Sequence, residues 1–302
     1  MTHVATLIAN PAARALDAAA AERARAALPG AGDVRWLSPG VAADISFTLP
    51  DDTVERRRAL AGELRLLLSG LPVDVVVQPR DHRRKRLFLA DMDSTMIGQE
   101  CIDELADHVG LKAHVAAITE RAMRGELEFE PALRERVGLL KGLTASVVED
   151  VIATRIKLTP GGRTLVATMR AHGAHTCLVS GGFTLFTDRI AAMIGFDESR
   201  ANALVVADGK FAGTVAEPIL GSGPKLAALR ELRDRFGLKR EETMAIGDGA
   251  NDLPMIEEAG LGVAYHGKPI VAEAAEARID HGDLTALLFV QGYRRDEFVE
   301  PR

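Results

Sequence analysis

From residue 160 onward this chain alternates helix-spaced and strand-like segments, and that order leaves little choice of fold. Residues 165–171 read as helix, 176–179 as strand and 183–194 as helix; 226–236, 243–246, 252–259 and 261–264 continue the alternation. A helix between successive strands returns the chain parallel to itself. An α/β fold is therefore expected, a Rossmann-like parallel sheet with helices on both faces. Segments 203–207 and 211–215 flank Asp208-Gly209, which predicts a two-residue hairpin turn. The first strand of this sheet is expected at 87–90. Helical spacing then runs through 101–109, 113–123, 131–140 and 146–156, so residues from about 98 to 157 are expected as a helical insertion after that strand.

Residues 1–80 read as a smaller unit. An apolar run at 4–9 ends in Asn10-Pro11, and an alanine-rich helix over 12–28 is stopped by Pro29-Gly30. Strands follow at 34–37 and 44–49, a helix at 51–68 and a β-branched strand at 73–77. The order is β-α-β-β-α-β, a small α+β domain. It resembles an ACT-like regulatory or dimerisation module, which makes a homodimer through this unit the natural expectation. Residues 81–86, DHRRKR, read as a solvated linker to a catalytic domain at 81–302, whose sheet is expected not to need the N-terminal unit.

Composition excludes several classes. A formal charge of -6 and 4% aromatics argue against nucleic-acid binding. No apolar run approaches the ~18 residues of a membrane span. Two cysteines, Cys101 and Cys177, cannot make a disulfide scaffold. No basic start followed by an apolar block is present, so no signal peptide is read and a reducing, cytoplasmic setting is expected.

Ligands of open parallel sheets bind beyond the carboxyl ends of the strands. Three strand ends here turn abruptly polar: Asp91-Met92-Asp93-Ser94-Thr95, Ser180-Gly181-Gly182, and Gly247-Asp248-Gly249-Ala250-Asn251-Asp252. A fourth segment, GSGPK at 221–225, precedes a helix. Each alone is common at turns and helix caps. GDGAND is not a dinucleotide fingerprint, because Asp252 stands where Gly or Ala is required, and GSGPK lacks the Ser or Thr of a Walker A loop. In order, they would gather Asp91, Asp93, Asp248, Ser180 and Lys225 around one point. Three buried carboxylates repel unless a cation sits among them, and hard oxygen ligands suit Mg²⁺. One carboxylate can then attack phosphorus while its neighbour exchanges a proton with the leaving or attacking oxygen. Lys225, Ser180 and nearby N–H groups would hold the phosphoryl oxygens.

Those motifs, with DMDSTMIGQECIDELAD at 91–107, ITERAMRGELEFEPALRERVGLLKGL at 118–143, LVSGGF at 178–183 and IGDGANDLPMIEEAGLGVAY at 246–265, resemble the haloacid dehalogenase-like superfamily. The resemblance covers about 87–288, and within it runs to the members that hydrolyse O-phosphoserine. It implies Asp91 as nucleophile and metal ligand, Asp93 as general acid/base with its backbone carbonyl on the metal, and Asp248 as the third ligand. It implies Ser180, Gly181, Lys225 and Asn251 at the phosphate, with Asp252 in support. From the insertion it implies Glu100 facing the substrate ammonium, Arg136 facing its carboxylate, and Met123 and Phe129 as an apolar shield. The implied reaction is Mg²⁺-dependent release of phosphate from phosphoserine through an aspartyl-phosphate, the last step of serine biosynthesis.

On charge alone Arg134 is as good a candidate as Arg136. Cys101 reads as a small buried side chain, and His172 and His175 as turn residues. Transfer to another alcohol, action on phosphohomoserine, and a serine-sensing binding protein remain as rival functions. A dehalogenase is disfavoured because its leaving group needs no acid such as Asp93.

Overall fold

The computed structural model describes residues 1–301. A strand that is apolar at nearly every position needs cover on both faces, and β1 (His3–Ala9) is buried along its whole length. It pairs antiparallel with β3 (Ala42–Phe47) and β4 (Val73–Pro79), and β2 (Val34–Ser38) completes the order β2-β3-β1-β4. One face of this sheet packs Leu7, Ile45 and Val75 on α1 (Ala18–Ala26) and α2 (Val54–Leu67). Helix α1 begins later than its alanine-rich lead-in suggests, because Asp17 caps it by accepting the Ala20 N–H at 2.7 Å. The other face, through Ile8, Ala42 and Val76, joins the core of the rest of the chain.

The second sheet is six-stranded and parallel, in the order β12 (Ala277–Ile279), β11 (Leu261–Tyr265), β10 (Thr243–Gly247), β5 (Leu87–Ala90), β6 (His175–Phe183), β7 (Glu198–Asn202). At its centre β5 (Leu87–Ala90) sends Phe88 and Ala90 to one face and Leu87 and Leu89 to the other. The first face is covered by α7 (Gly162–Ala171) and α8 (Thr184–Ile194), the second by α9 (Ser222–Arg235) and α10 (Leu253–Glu258). From β5 the chain goes to β6 (His175–Phe183) and β7 (Glu198–Asn202), then returns to β10 (Thr243–Gly247), β11 (Leu261–Tyr265) and β12 (Ala277–Ile279) on the other side. The order therefore reverses next to β5, which opens the crevice where α/β sheets bind ligands.

Between β5 and α7 lie α3 (Cys101–Asp107), α4 (Lys112–Met123), α5 (Phe129–Gly138) and α6 (Val147–Thr154). A separate hairpin, β8 (Leu204–Ala207) and β9 (Lys210–Val215), turns at Asp208 and Gly209, which have φ of 51° and 72°. Both positive values suit the two-residue turn expected there. The hairpin braces the helices: Gly142 and Ala145 donate N–H bonds to Phe211 and Gly209, and Phe211 donates to Leu143.

Residues 81–86 are a solvated linker only in part: Asp81, His82, Arg84 and Arg86 are exposed, but Arg83 and Lys85 turn inward. Arg83 donates to both oxygens of buried Asp44, at 2.8 and 3.0 Å, and to the carbonyl of Val290. It thereby ties the first sheet to the end of α12 (Ala286–Val290). Lys85 is 6% exposed and reaches the Glu241 carbonyl. A basic string looks solvated only until its carboxylate and carbonyl partners, far away in sequence, are in place. The strands β7 and β12 also go unsignalled: ESRAN is polar and ARI is too short to show a period.

Candidate active site

Asp91 leaves the end of β5 into the crevice. Its carboxylate accepts from Lys225 Nζ at 2.5 Å, and the same ammonium reaches Asp252 at 2.7 Å. Lys225 projects from the first turn of α9 and is wholly buried. Burial works against its charge, but Asp252 and Asp91 outweigh it and hold the amine protonated. Asp252 spends its second oxygen on the N–H groups of Asp248 and Gly249, each at 3.2 Å. Asp248, at the end of β10, accepts from the Thr95 hydroxyl at 3.0 Å. Thus Asp91, Asp248 and Asp252 offer oxygens within 4.8 Å of one another, the one such group of metal-ligating type among the described residues.

Of these three buried carboxylates, Asp91 and Asp252 share the Lys225 ammonium, while Asp248 bonds the Thr95 hydroxyl. Burial, then the neighbouring Asp252, pushes Asp91 well above the usual carboxylate range and Asp248 up to about 7. That charge imbalance and the all-oxygen donor set fit a small hard dication. The Oδ1 of Asn251, buried without a hydrogen-bond partner among the described residues, adds an acceptor beside them.

Asp93 faces elsewhere. Its carboxylate accepts the Cys101 N–H at 2.9 Å and lies 3.4 Å from the Ser180 hydroxyl, which itself accepts the Gly182 N–H at 2.8 Å. Burial raises its pKa, favouring the protonated form a general acid needs. Glu100 accepts from Ser94 at 2.6 Å and is raised by burial and by Asp93.

The insertion supplies the opposite wall. Arg136 is 3% exposed; its Nε is held by the Ala132 carbonyl and its Nη1 by Thr119, at 3.0 and 2.9 Å. Arg134 points away to Glu130 and Glu217, so of the two arginines it is Arg136 that lines the cavity. Phe129 and Met123 sit directly on glycines. A Cβ on Gly181 would lie 2.7 Å from the Phe129 ring, and one on Gly249 would lie 2.6 Å from the Met123 sulfur. The cavity joins Asp91, Asp93, Glu100, Arg136, Ser180 and Asn251 and encloses about 30 Å³. Ile102, Leu133 and Phe183 also line it, with nothing in their helical or strand pattern to mark them. Cys101 is buried, its thiol pushed up by burial and by Asp93, as an inert side chain. His172 bonds the Thr168 carbonyl and packs on Tyr293.

A buried carboxylate bonded to a buried ammonium, with a second carboxyl raised by burial, at the switch point of a parallel sheet, is the set of groups a phosphohydrolase site requires. The family model described as haloacid dehalogenase-like hydrolase matches residues 88–257. The phosphoserine phosphatase of Streptomyces coelicolor is 43% identical over 246 residues, which is 82% of this chain and 59% of that protein. The phosphoserine phosphatase of Polaromonas sp. is 45% identical over 224 residues, 72% of this chain and 95% of that one. The crystal structure of a HAD family hydrolase from Salmonella enterica subsp. enterica serovar Typhi matches with a TM-score of 0.82 at 30% identity, over 98% of this chain and 99% of that one. The chain belongs to the haloacid dehalogenase-like hydrolase family. Among the described residues no helix is long and apolar enough to cross a membrane.

Proposed function

We propose that this chain is a Mg²⁺-dependent phosphatase that releases phosphate from O-phosphoserine. The observation that carries the reading is one small cavity lined by two chemically different sets of side chains: Asp91, Asp93 and Ser180, and Arg136 with Glu100. A phosphorylated amino acid has matching ends: a phosphate, and a zwitterion that calls for a planar cation and an anion.

In this reading Ser180, the Gly181 backbone and Lys225 hold the phosphoryl oxygens. Asp91 attacks phosphorus as the bond to the seryl oxygen breaks, and Asp93 gives its proton to that oxygen. Water then attacks the aspartyl-phosphate, Asp93 takes its proton, and Asp91 is regenerated with release of phosphate. Asp91, Asp248 and the Asp93 carbonyl would hold Mg²⁺, which when bound offsets the buried charge and polarises the phosphoryl oxygens. Asp252 and Asn251 support this end. Glu100 faces the ammonium and Arg136 the carboxylate, while Met123 and Phe129 exclude water. A cavity of about 30 Å³ has room for roughly one or two waters. The helices of the insertion are read as a cap over 98–157 that lifts to admit substrate.

Residues 1–80 are read as an ACT-like regulatory or dimerisation domain beside a catalytic domain at 81–302, working in the cytoplasm. The unpaired edge of β2 is the surface that supports pairing of two copies. The test is phosphate release from O-phosphoserine with Mg²⁺ and with excess EDTA. Rapid release that EDTA abolishes is expected. No release, or release indifferent to EDTA, overturns the reading. Phosphate appearing on added homoserine in place of free phosphate would reassign the acceptor.

A further inference from the structure

Strands β6 and β7 run in register from Cys177–Glu198 to Val179–Arg200, then lose register until Phe183 meets Asn202. Residues 180–182 are thus bulged out of the ladder, which leaves their peptide groups without the partners a parallel strand would supply. Asn202, 2% exposed at the end of β7, fills that gap with its side chain. Its Nδ2 donates to the Gly181 carbonyl at 2.8 Å and to the Leu220 carbonyl at 3.0 Å, and its Oδ1 accepts the Leu220 N–H at 2.5 Å. The carboxamide therefore behaves as a piece of strand lodged between two loops.

Both loops serve the phosphate end of the cavity. The Gly181–Gly182 peptide is pinned twice: its carbonyl by Asn202, and its N–H by the Ser180 hydroxyl at 2.8 Å. That pairing fixes the direction of the hydroxyl, whose oxygen lies 3.4 Å from Asp93. Leu220 immediately precedes Gly221, the N-cap of α9, and Lys225 lies in the first turn of that helix. Gly221 in turn carries Phe129, whose ring would be 3.0 Å from a Cβ added there.

We propose that Asn202 is a positioning residue that sets the spacing between the Ser180–Gly182 bulge and Lys225, and so the affinity of the site for the phosphoryl group. It touches neither substrate nor metal; it acts through Gly181 and Leu220. The proposal rests on the phosphatase reading only in taking those two loops as the phosphate end.

The test uses the full chain with Mg²⁺ and inorganic phosphate as probe. Asn202→Asp keeps the size and the acceptor for the Leu220 N–H but turns both donors into a carboxylate facing two carbonyls. Asn202→Ala removes all three bonds. For folded variants, checked by circular dichroism, phosphate binding is expected to weaken about tenfold or more. kcat/KM on phosphoserine is expected to fall on the order of 100-fold, the scale of an ångström-level misplacement. The preference for phosphoserine over phosphoethanolamine, set at the other end of the cavity, should stay as in the wild type. Unchanged phosphate affinity in a folded variant overturns the proposal, as does a loss of that preference in step with the loss of rate. In the wild-type chain, the Nδ2 protons of Asn202 should exchange slowly with solvent and shift when phosphate is added. Fast exchange, or no shift at saturating phosphate, overturns it without any variant. Failure of the wild type to hydrolyse phosphoserine would count against the phosphatase reading instead, and the phosphate titrations would still decide Asn202.

Discussion

Asp91 and Asp93 are two positions apart, yet they have different partners, and the proposed roles follow that difference. Asp91 faces an ammonium that keeps one of its oxygens engaged, whereas Asp93 faces an N–H and a hydroxyl. Asp91→Asn is expected to cost 10³-fold or more in turnover, on the order of losses seen when a nucleophile is removed. It should also abolish any phosphoenzyme trapped by acid quench; substantial steady-state activity would reassign the nucleophile. Asp93→Asn should slow both formation and breakdown of that intermediate, each by roughly 10²–10⁴-fold, since one group moves both protons. Quench-flow that shows only one step slowed would separate the acid from the base. Arg136 is buried in the cavity wall with one nitrogen, Nη2, lacking a hydrogen-bond acceptor among the described residues. Arg136→Ala should lose on the order of 2–5 kcal/mol of transition-state stabilisation on phosphoserine. Phosphoethanolamine, without a carboxylate, should barely register the change; equal losses on both would show that Arg136 only holds α4 to α5.

At the scale of elements, the insertion meets the sheet through aromatic and sulfur atoms seated on glycines, and through the Lys268–Glu120 pair at 2.7 Å. That pair is half-exposed and worth little by itself. The glycine contacts are stricter, because a Cβ on Gly181 would overlap the Phe129 ring. Gly181→Ala should therefore lower kcat/KM by at least ~10-fold in the wild-type background, a contact-scale penalty. It should cost clearly less in a Phe129→Ala background, where the ring is gone. Equal costs in the two backgrounds, read from the double-mutant cycle, would mean the glycine is needed for another reason.

At the scale of the molecule, the N-terminal sheet and the catalytic sheet share one apolar core and a buried polar seam. Asp74 accepts the N–H groups of Asp280, His281 and Gly282, and Gln78 joins Arg83 on the Val290 carbonyl. A chain beginning at residue 81 would leave Arg83 without Asp44 and bare the α12 face that Ile8 and Val76 cover. The sequence alone leads to the expectation that the catalytic sheet does not need the N-terminal unit; the seam reverses it, and the catalytic unit alone is expected to be insoluble or strongly destabilised. A soluble truncation with a wild-type unfolding midpoint would show the seam to be dispensable. The same seam buries Lys85, whose amine is pushed down to about 8 by burial despite Glu276 and Glu241. Between that value and its unfolded value near 10.5 the unfolded chain binds the extra proton, so stability should rise with pH across the window. At neutral pH, Lys85→Met should stabilise by on the order of 2–3 kcal/mol, less whatever the lost bond to Glu241 contributed. The gain should shrink as pH approaches 10. Urea unfolding at pH 7, 8 and 9 that gives parallel values for the two proteins would show Lys85 to be solvated.

Local pattern was enough for four of the six strands of the parallel sheet, the run of helices after β5, the hairpin and every polar strand end, because each rests on periodicity or on polar residues interrupting an apolar run; β7 and β12 carry no such signal. The strand ends also named Asp91, Asp93, Ser180 and Asp248, because the polar motifs occur together and in order, although each alone would be ordinary at a turn or helix cap. Resemblance, not period, selected Arg136 over Arg134. Only burial shows why: one turns into the cavity and the other to exposed Glu130 and Glu217. Asn202, Arg83 and Asp44 carried no local signal at all. Their partners lie many residues away, and a buried hydrogen bond or ion pair exists only once both ends have been brought together and water has left. A polar side chain looks like surface in the sequence, and its partners decide otherwise in the fold.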